Sequence, residues 1–434
     1  MRADPPRNEF DRPVDGALPA RPDDSSARAG SGKNGYPTKS QLPPPSERIP
    51  VLRWLKQNLF GSWFNAILTV AAAALIGAVV FGLLRWAVTE ARWEVIPSNL
   101  KLLLVGTYPG EQLWRVWAIL YFLSLLTGFA AGRRRGLLRQ ISRAAFVAPI
   151  ILALLPFPLA TRGWLLGVAA SIAAGFGLGL LAELGGNRRW IKRLEIAGWV
   201  LSFPVSLIVL NGVGGFLPVI EGRNQWGFLL NLLGAVVGIG LSLPLGILLA
   251  LGRRSKLPAI RLVCTGYIEL IRGVPLISLL FMASIMLQLL LPDSFRPDLV
   301  IRAMLTITAF SAAYMAENVR GGLQAIPNGQ YEAAYAVGLN SVLTMVLIIL
   351  PQALRAVIPA IVGQFIALFK DTTLFGFIAI LELLNISRSV LGNLEWRGTI
   401  FELYVFIGVV FWILCYSMSF VSRRIERSLG VGER

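Results

Sequence analysis

Residues 66–80 read AILTVAAAALIGAVV and residues 163–182 read GWLLGVAASIAAGFGLGLLA, and neither stretch holds a charge. Runs of roughly 18 or more apolar residues let a helix cross a hydrocarbon core about 30 Å thick. In that medium a helix satisfies its own backbone groups, whereas an open strand leaves an edge unpaired. The fold class follows: an all-α, polytopic membrane protein. Extending the reading outward gives ten spans, near 65–88, 113–132, 144–161, 163–184, 195–212, 227–251, 273–291, 300–319, 343–368 and 400–421. The stretch 374–388 (LFGFIAILELLNISR) is too short to cross and reads as re-entrant or interfacial. The residues at 161–164 suggest a tight turn and a helical hairpin in the first half.

Composition agrees. Only 15% of the 434 residues are charged, against about 25% in ordinary soluble domains. The net charge of +17 sits in short clusters between apolar runs, which is the pattern of cytoplasmic loops rather than of a nucleic-acid-binding domain. With ten spans, Arg133–Arg135, Arg188-Arg189, Arg253-Arg254 and Arg423-Arg424 fall on one side, as do Arg53 and Lys56. Glu90, Glu94, Glu111, Asp293 and Asp298 fall on the other. The basic side is the cytoplasm, which expects both termini there. The chain has no histidine, which excludes histidine-based triads, metal sites and proton relays. Cys264 and Cys415 are in no metal-like spacing.

Three regions are expected. Residues 1–50 are rich in Pro, Gly, Ser, Asp and Arg and lack the apolar clusters a core needs, so they read as a disordered cytoplasmic tail. No apolar stretch follows their first charges, so they are not a signal peptide. Gly30-Ser31-Gly32-Lys33 is not a phosphate-binding loop: Ala27 stands at the first glycine position and Asn34 where Ser or Thr would meet magnesium. Residues 51–212 form an accessory membrane region. Residues 213–434 carry polar groups within and beside their apolar runs, and intramembrane polar groups mark function.

Between the eighth and ninth spans lies Asn328-Gly329-Gln330-Tyr331-Glu332-Ala333-Ala334-Tyr335-Ala336-Val337-Gly338-Leu339-Asn340-Ser341. Asn328 and Ser341 are suited to cap helices, and Glu332 suits the positive end of one. Ala333, Ala334 and Ala336 favour helix, and Gly338 can take the left-handed conformation that stops it. A short helix with a small-residue face would result, able to dock closely in a groove of a partner.

The pattern Glu332-Ala333-Ala334, Gly338, Ile348, Leu350 and Pro351 resembles the EAA signature of ATP-binding-cassette importer permeases. Glu269-Leu270-Ile271-Arg272-Gly273-Val274-Pro275-Leu276 is similar to the E-x-x-R-G-T-P-L motif of their polar amino-acid branch. Ala313-Tyr314-Met315-Ala316-Glu317-Asn318-Val319-Arg320-Gly321 resembles its A-Y-x-A-E-x-x-R-G motif. Lys370-Asp371-Thr372-Thr373-Leu374 resembles its K-D-T-S-L motif, with Thr373 for Ser. The resemblance covers about 220–425, and the extra spans before it resemble the larger subunit of the unequal permease pair in general L-amino-acid importers.

The resemblance implies a core of five helices and a coupling helix carrying Gln330, Glu332, Ala333, Ala334, Gly338 and Leu339. It also implies two ATPase subunits that hold ATP and magnesium, a second permease subunit, a periplasmic amino-acid-binding protein, and an inner-membrane location. This chain itself would bind no cofactor and catalyse nothing. From the residues, Glu269 with Arg272 and Glu317 with Arg320 have the spacing of helical ion pairs, either structural ties or a gate. Gln364 sits in an apolar span, where its amide suits a zwitterionic amino acid or another helix. Ser311, Tyr314, Lys370, Asp371, Thr372 and Thr373 are the further pocket candidates. A self-contained secondary amino-acid transporter or channel is the rival reading; it would need coupling-ion ligands or a proton relay near the midplane, and no run of midplane carboxylates is found.

Overall fold

The computed structural model describes residues 55–56, 58–134, 136–154, 158–185, 188–213, 217–220, 226–292 and 296–430. The tail expected at 1–50 lies outside them. Two compact units are present, Met1–Arg85 and Trp86–Arg434, and their boundary falls inside the first long helix. That helix, α1 (Trp63–Thr89), is apolar on every face and buries no residue. Its 27 residues rise about 40 Å at 1.5 Å each, enough to cross a bilayer alone.

The second unit is helical throughout its membrane-crossing parts. Seven helices of the described residues are long and apolar enough to span a membrane, or up to nine if each bent pair is one span. The first half of this unit holds α2 (Leu113–Arg133), α3 (Leu137–Ala153), α4 (Leu159–Leu184) and α5 (Arg188–Asn211). The turn expected at 161–164 is not there. Helix α4 begins earlier, after Pro158 at its N-cap, and runs straight through those residues.

Helices α2 and α4 touch backbone to backbone. A Cβ placed on Gly128 would lie 2.2 Å from the Ile172 carbonyl oxygen, and one on Gly132 2.3 Å from that of Phe176. In return, Gly175 and Gly179 face the Leu125 and Phe129 carbonyls at 2.2 and 2.3 Å. Glycines four apart on both helices permit this approach, as in other membrane helix pairs. The contacted residue number rises along both helices, so they run parallel. The helix between them must therefore cross back. Helix α3 is shorter than the expected 144–161 span, with Arg139 and Arg143 in its first half. Its 17 residues still rise about 25 Å, close to the hydrocarbon thickness. At the end where α2 and α4 finish and α5 begins, Arg133 pairs with Glu183 and Glu195, and Arg134 with Glu195 at 2.9 Å.

The second half comprises α6 (Gly227–Arg253), α7 (Pro258–Gly273), α8 (Leu276–Leu290), α9 (Leu299–Gln324), α10 (Asn328–Ala336), α11 (Ser341–Ala356), α12 (Ile358–Asp371), α13 (Leu383–Leu391) and α14 (Ile400–Ser428). Helices α7 and α8 meet at 106°, where Pro275 cannot donate to a continuing ladder. The span expected at 343–368 is two helices. It breaks at Val357 (φ −110°, ψ 13°), because Pro359 has no N–H for Arg355. The 374–388 stretch is not a spanning helix. A 3-10 turn (Thr372–Ile378) and the left-handed Ala379 lead into the short α13.

At the end opposite Arg133, the first half is tied to the second by buried polar groups. Arg115 is fully buried and donates to the Pro218 carbonyl at 3.1 Å, just before α6; the Tyr108 hydroxyl donates to the Leu210 carbonyl within the first half at 2.9 Å, and the Tyr108 ring faces that of Trp226 at 6.4 Å. Glu402, also buried, accepts from the Arg92 backbone N–H at 2.8 Å. Val95 and Leu103 pack there against Leu383, Ile386 and Leu403.

Candidate functional site

Helix α10 is nine residues long and begins directly after Pro327. Asn328 is its first residue and makes no side-chain cap, so the expected cap shifts by one and Pro327 supplies the entry. The next helix is capped by Asn340, whose side chain accepts from the Leu343 N–H at 2.9 Å, and Ser341 is its first helical residue. Between them Gly338 has φ +83°, the left-handed conformation expected of it. Ala334 is buried and Leu339 half-buried, while Gln330, Glu332, Ala333, Tyr335 and Val337 are exposed. The Gln330 side-chain oxygen accepts from Gln352 Nε2 at 3.1 Å and ties α10 to α11. Tyr331 packs on a buried cluster of Ile268, Val319, Leu323, Ile349 and Ala353. The result is a short helix seated on the bundle by one face and open on the other.

Beside this cluster stands an ion network that spacing alone did not reveal. Glu317 and Arg320 pair as expected, with Nε to Oε1 at 2.9 Å. Glu269 and Arg272 do not pair with each other. Glu269 meets Arg253 of α6 at 2.9 Å, and Arg272 meets Glu317 of α9 at 3.6 Å. Arg253 also reaches Glu317 at 3.4 Å. Helical spacing permits a pair three residues apart, but here cross-helix partners at the α6–α7–α9 junction take precedence. Glu317 is the hub, facing three guanidinium groups. Arg272 also lies over the Tyr314 ring, 5.3 Å from its centroid.

The pocket candidates separate into two groups. Gln364 on α12 reaches Ser311 on α9, with Nε2 to Oγ at 3.5 Å. Ser311 is buried; Gln364 is half-buried. The Tyr314 ring, which carries Arg272 over its face, lies 4.9 Å from that of Phe310 at a tilt of 45°. Lys370 is exposed, and Asp371 and Thr373 are half-buried. Thr372 differs: it is fully buried, its hydroxyl donating to the Phe369 carbonyl at 2.6 Å and accepting from Asn231 Nδ2 at 3.0 Å. It belongs to the packing between α6 and α12 rather than to any open face.

That packing contains a buried knot missed in the sequence. Asn231 accepts from the Leu383 N–H at 3.1 Å and reaches Glu382 at 3.3 Å. Glu382 caps α13, accepting from the N–H groups of Leu384 at 2.9 Å and Asn385 at 2.8 Å. Burial pushes its carboxyl above the usual carboxylate range, and the two backbone donors and Asn231 act against that shift. A second buried cation, Arg302, donates to the Ala283 carbonyl at 3.1 Å and to Gln288 at 3.3 Å, bracing a π-helical turn at Met282–Met286. Each of these polar residues interrupts an apolar run, and that was the available signal.

Comparison with known proteins identifies the family. Residues 242–431 match the family described as binding-protein-dependent transport system inner membrane component. The chain is 37% identical to the glutamate/glutamine/aspartate/asparagine transport system permease protein BztC of Rhodobacter capsulatus, over 89% of this chain and 95% of that one. It is 36% identical to the inner membrane amino-acid ABC transporter permease protein YhdY of Escherichia coli, over 87% and 93%. A probable glutamine ABC transporter permease of Bacillus subtilis, GlnP, is 32% identical over 46% of this chain and 90% of its own. A crystal structure of an amino acid ABC transporter with histidines aligns over 46% of this chain and 92% of its own, at 27% identity and a TM-score of 0.42. Two relatives match along nearly their whole length, and on that ground the chain belongs to the amino-acid permease subunits of binding-protein-dependent ABC importers.

Proposed function

We propose that the exposed face of α10 seats in a separate ATPase subunit, and that two such subunits drive this permease between inward- and outward-open states. The observation that carries this reading is the form of α10: Ala334 and Tyr331 hold one face on the bundle, and Glu332, Ala333 and Tyr335 leave the other free. ATP and magnesium would be bound by the ATPase pair, which biases the states because it binds one better than the other. A second permease subunit completes the path, and a periplasmic binding protein delivers the cargo. Residues 213–434 form the working core and residues 51–212 an accessory region. Both termini and α10 face the cytoplasm, in line with the basic clusters at the ends of α2 and α6.

The cargo proposed is the group of acidic amino acids and their amides, the substrates for which the Rhodobacter relative is named. The Gln364–Ser311 pair and the exposed Lys370 are the groups offered to a zwitterion with a polar side chain.

Gly338 gives the test of the coupling reading. Its surroundings are open, so a side chain meets no neighbour, and only the backbone conformation is at stake. A left-handed residue bearing a Cβ costs about 1–2 kcal/mol, and asparagine tolerates it best. Gly338→Val should assemble in the membrane and lose ATP-driven uptake, while Gly338→Asn should keep most of it. Equal uptake by both variants would sink the proposal.

A further inference from the structure

Two adjoining apolar cavities open between the accessory helices and the first core helix. One, of about 690 Å³, runs among α2, α5 and α6 from Val116 and Leu229 to Leu123 and Leu241. The other, of about 420 Å³, continues from Val116 and Leu229 to Lys101 and Trp117, at the end opposite Arg133. Volumes of this size are ordinary for a bound small molecule. From Leu229 to Leu241 is twelve residues of α6, or about 18 Å at a 1.5 Å rise. One leaflet of a bilayer's hydrocarbon core is about 15 Å deep.

The walls choose among occupants. Ser202 and Ser206 are the polar residues of the deeper cavity, and both hydroxyls are spent on their own helix, donating to the Trp199 and Ser202 carbonyls at 2.7 and 2.6 Å. Besides these hydroxyls the lining offers the Trp199 indole N–H and no charged group, too little for both ends of a zwitterionic cargo. Water needs two to four polar partners, and most of this lining is aliphatic. Leu232, Leu120 and Val236 are exposed along the groove, which opens sideways between membrane-crossing helices. At its mouth Lys101 is exposed, and no carboxylate among the described residues pairs with it.

We infer that this groove is a binding site for one diacyl phospholipid, its phosphate at Lys101 and an acyl chain along α6 between the accessory helices and the core. The groove begins at the end where Arg115 reaches the Pro218 carbonyl and runs away from it along α6. The inference concerns the membrane fold and does not depend on how α10 is used.

The test uses the full chain, purified in detergent, delipidated and titrated with dioleoylphosphatidylglycerol, with bound lipid counted by native mass spectrometry. The unaltered protein should saturate at one tightly held lipid. Lys101→Gln should weaken it about 5-fold, the worth of one lysine near a phosphate surface. Leu232→Trp and Val236→Trp should abolish it by filling the groove. Leu248→Trp, on α6 outside the groove and 64% exposed, should bind as the unaltered protein does. Val236 is itself 54% exposed, so its replacement leaves packing intact and decides the matter if Leu232→Trp does not fold. Absence of a retained lipid, or equal binding in Val236→Trp, overturns the inference. So does efficient cross-linking of a cysteine at Val236 to another subunit of the assembled importer, which would show a protein helix in the groove.

Discussion

Replacing Glu317 by glutamine removes the one carboxylate that faces Arg253, Arg272 and Arg320 together. The pairs lie within 3.6 Å, and the Glu317 side chain is 23% exposed, neither free in water nor sealed from it. At 3.4 Å and an effective dielectric near 20, the bare Coulomb attraction to Arg253 is about 5 kcal/mol. Solvent screening and lost side-chain freedom cut such pairs to about 0.2–1 kcal/mol when exposed. With roughly a quarter of each side chain in solvent, a net coupling of about 1 kcal/mol per cross-helix pair is expected. Glu317→Gln should therefore destabilise the chain by about 2–3 kcal/mol, since three cations lose their shared partner and repel one another. The assay is a double-mutant cycle with Arg253→Gln, followed by denaturant unfolding in a fixed detergent, with uptake measured per folded complex. Coupling of about 1 kcal/mol with near-normal uptake identifies a structural tie across α6, α7 and α9. Additivity within about 0.3 kcal/mol would refute the network as a joint. Unchanged stability with collapsed uptake would instead make Glu317 a gate.

Gly322 on α9 sits against α11, where a Cβ would lie 2.5 Å from the Ala353 carbonyl oxygen; Gly322→Leu should cost about 1–3 kcal/mol and depress coupling, read by unfolding and by uptake per ATP hydrolysed. Gly128→Leu should separate α2 from α4 at a similar cost, while Gly77→Leu, with open space around it, should be silent in the same unfolding assay. Gln364→Leu should raise the substrate concentration for half-maximal ATPase stimulation by on the order of 5- to 150-fold, the worth of 1–3 kcal/mol; lowered stability with unchanged selectivity would assign the amide to Ser311 alone.

Most of the fold was legible because bilayer physics leaves few choices. Apolar length and basic clusters located the spans, and the short α10 with its left-handed Gly338 followed from Ala and Gly at their positions. The failures have physical causes. Hydropathy averages over a window, so it fused α11 and α12 across Val357 and Pro359, where one missing N–H ends a helix. It also put a turn at Thr161–Trp164, although Pro158 had already fixed the entry of α4. Ion pairs were read along one helix, yet Glu269 and Arg272 chose Arg253 and Glu317 because partners on neighbouring helices lay nearer. Arg115, Asn231, Arg302 and Glu382 were visible as polar residues in apolar runs. Glu382 caps its own helix, but Arg115, Asn231 and Arg302 take their partners from other segments, which no local pattern shows.

The break at Val357 bears on how motion at α10 would reach the middle of the membrane. Helix α11 does not continue into α12, so a displacement of α10 is not carried along the chain to Gln364. It is carried sideways. Gln330 holds α10 to Gln352 of α11, and Ile349 and Ala353 of α11 are packed, fully buried, against Val319 and Leu323 of α9. Close-packed interiors transmit strain and do not absorb it. Helix α9 in turn bears Glu317, which is tied to α6 and α7, and Ser311, which meets Gln364. A push on α10 would thus move α9 as a lever, with the ion network at its lower end and the Ser311–Gln364 contact two turns above. The contact at 3.5 Å is at the long limit of a hydrogen bond and is the weakest link in that chain. A seam that must open and close once per cycle is better served by such a contact than by the buried knot of Asn231, Thr372 and Glu382 on the other side of α12.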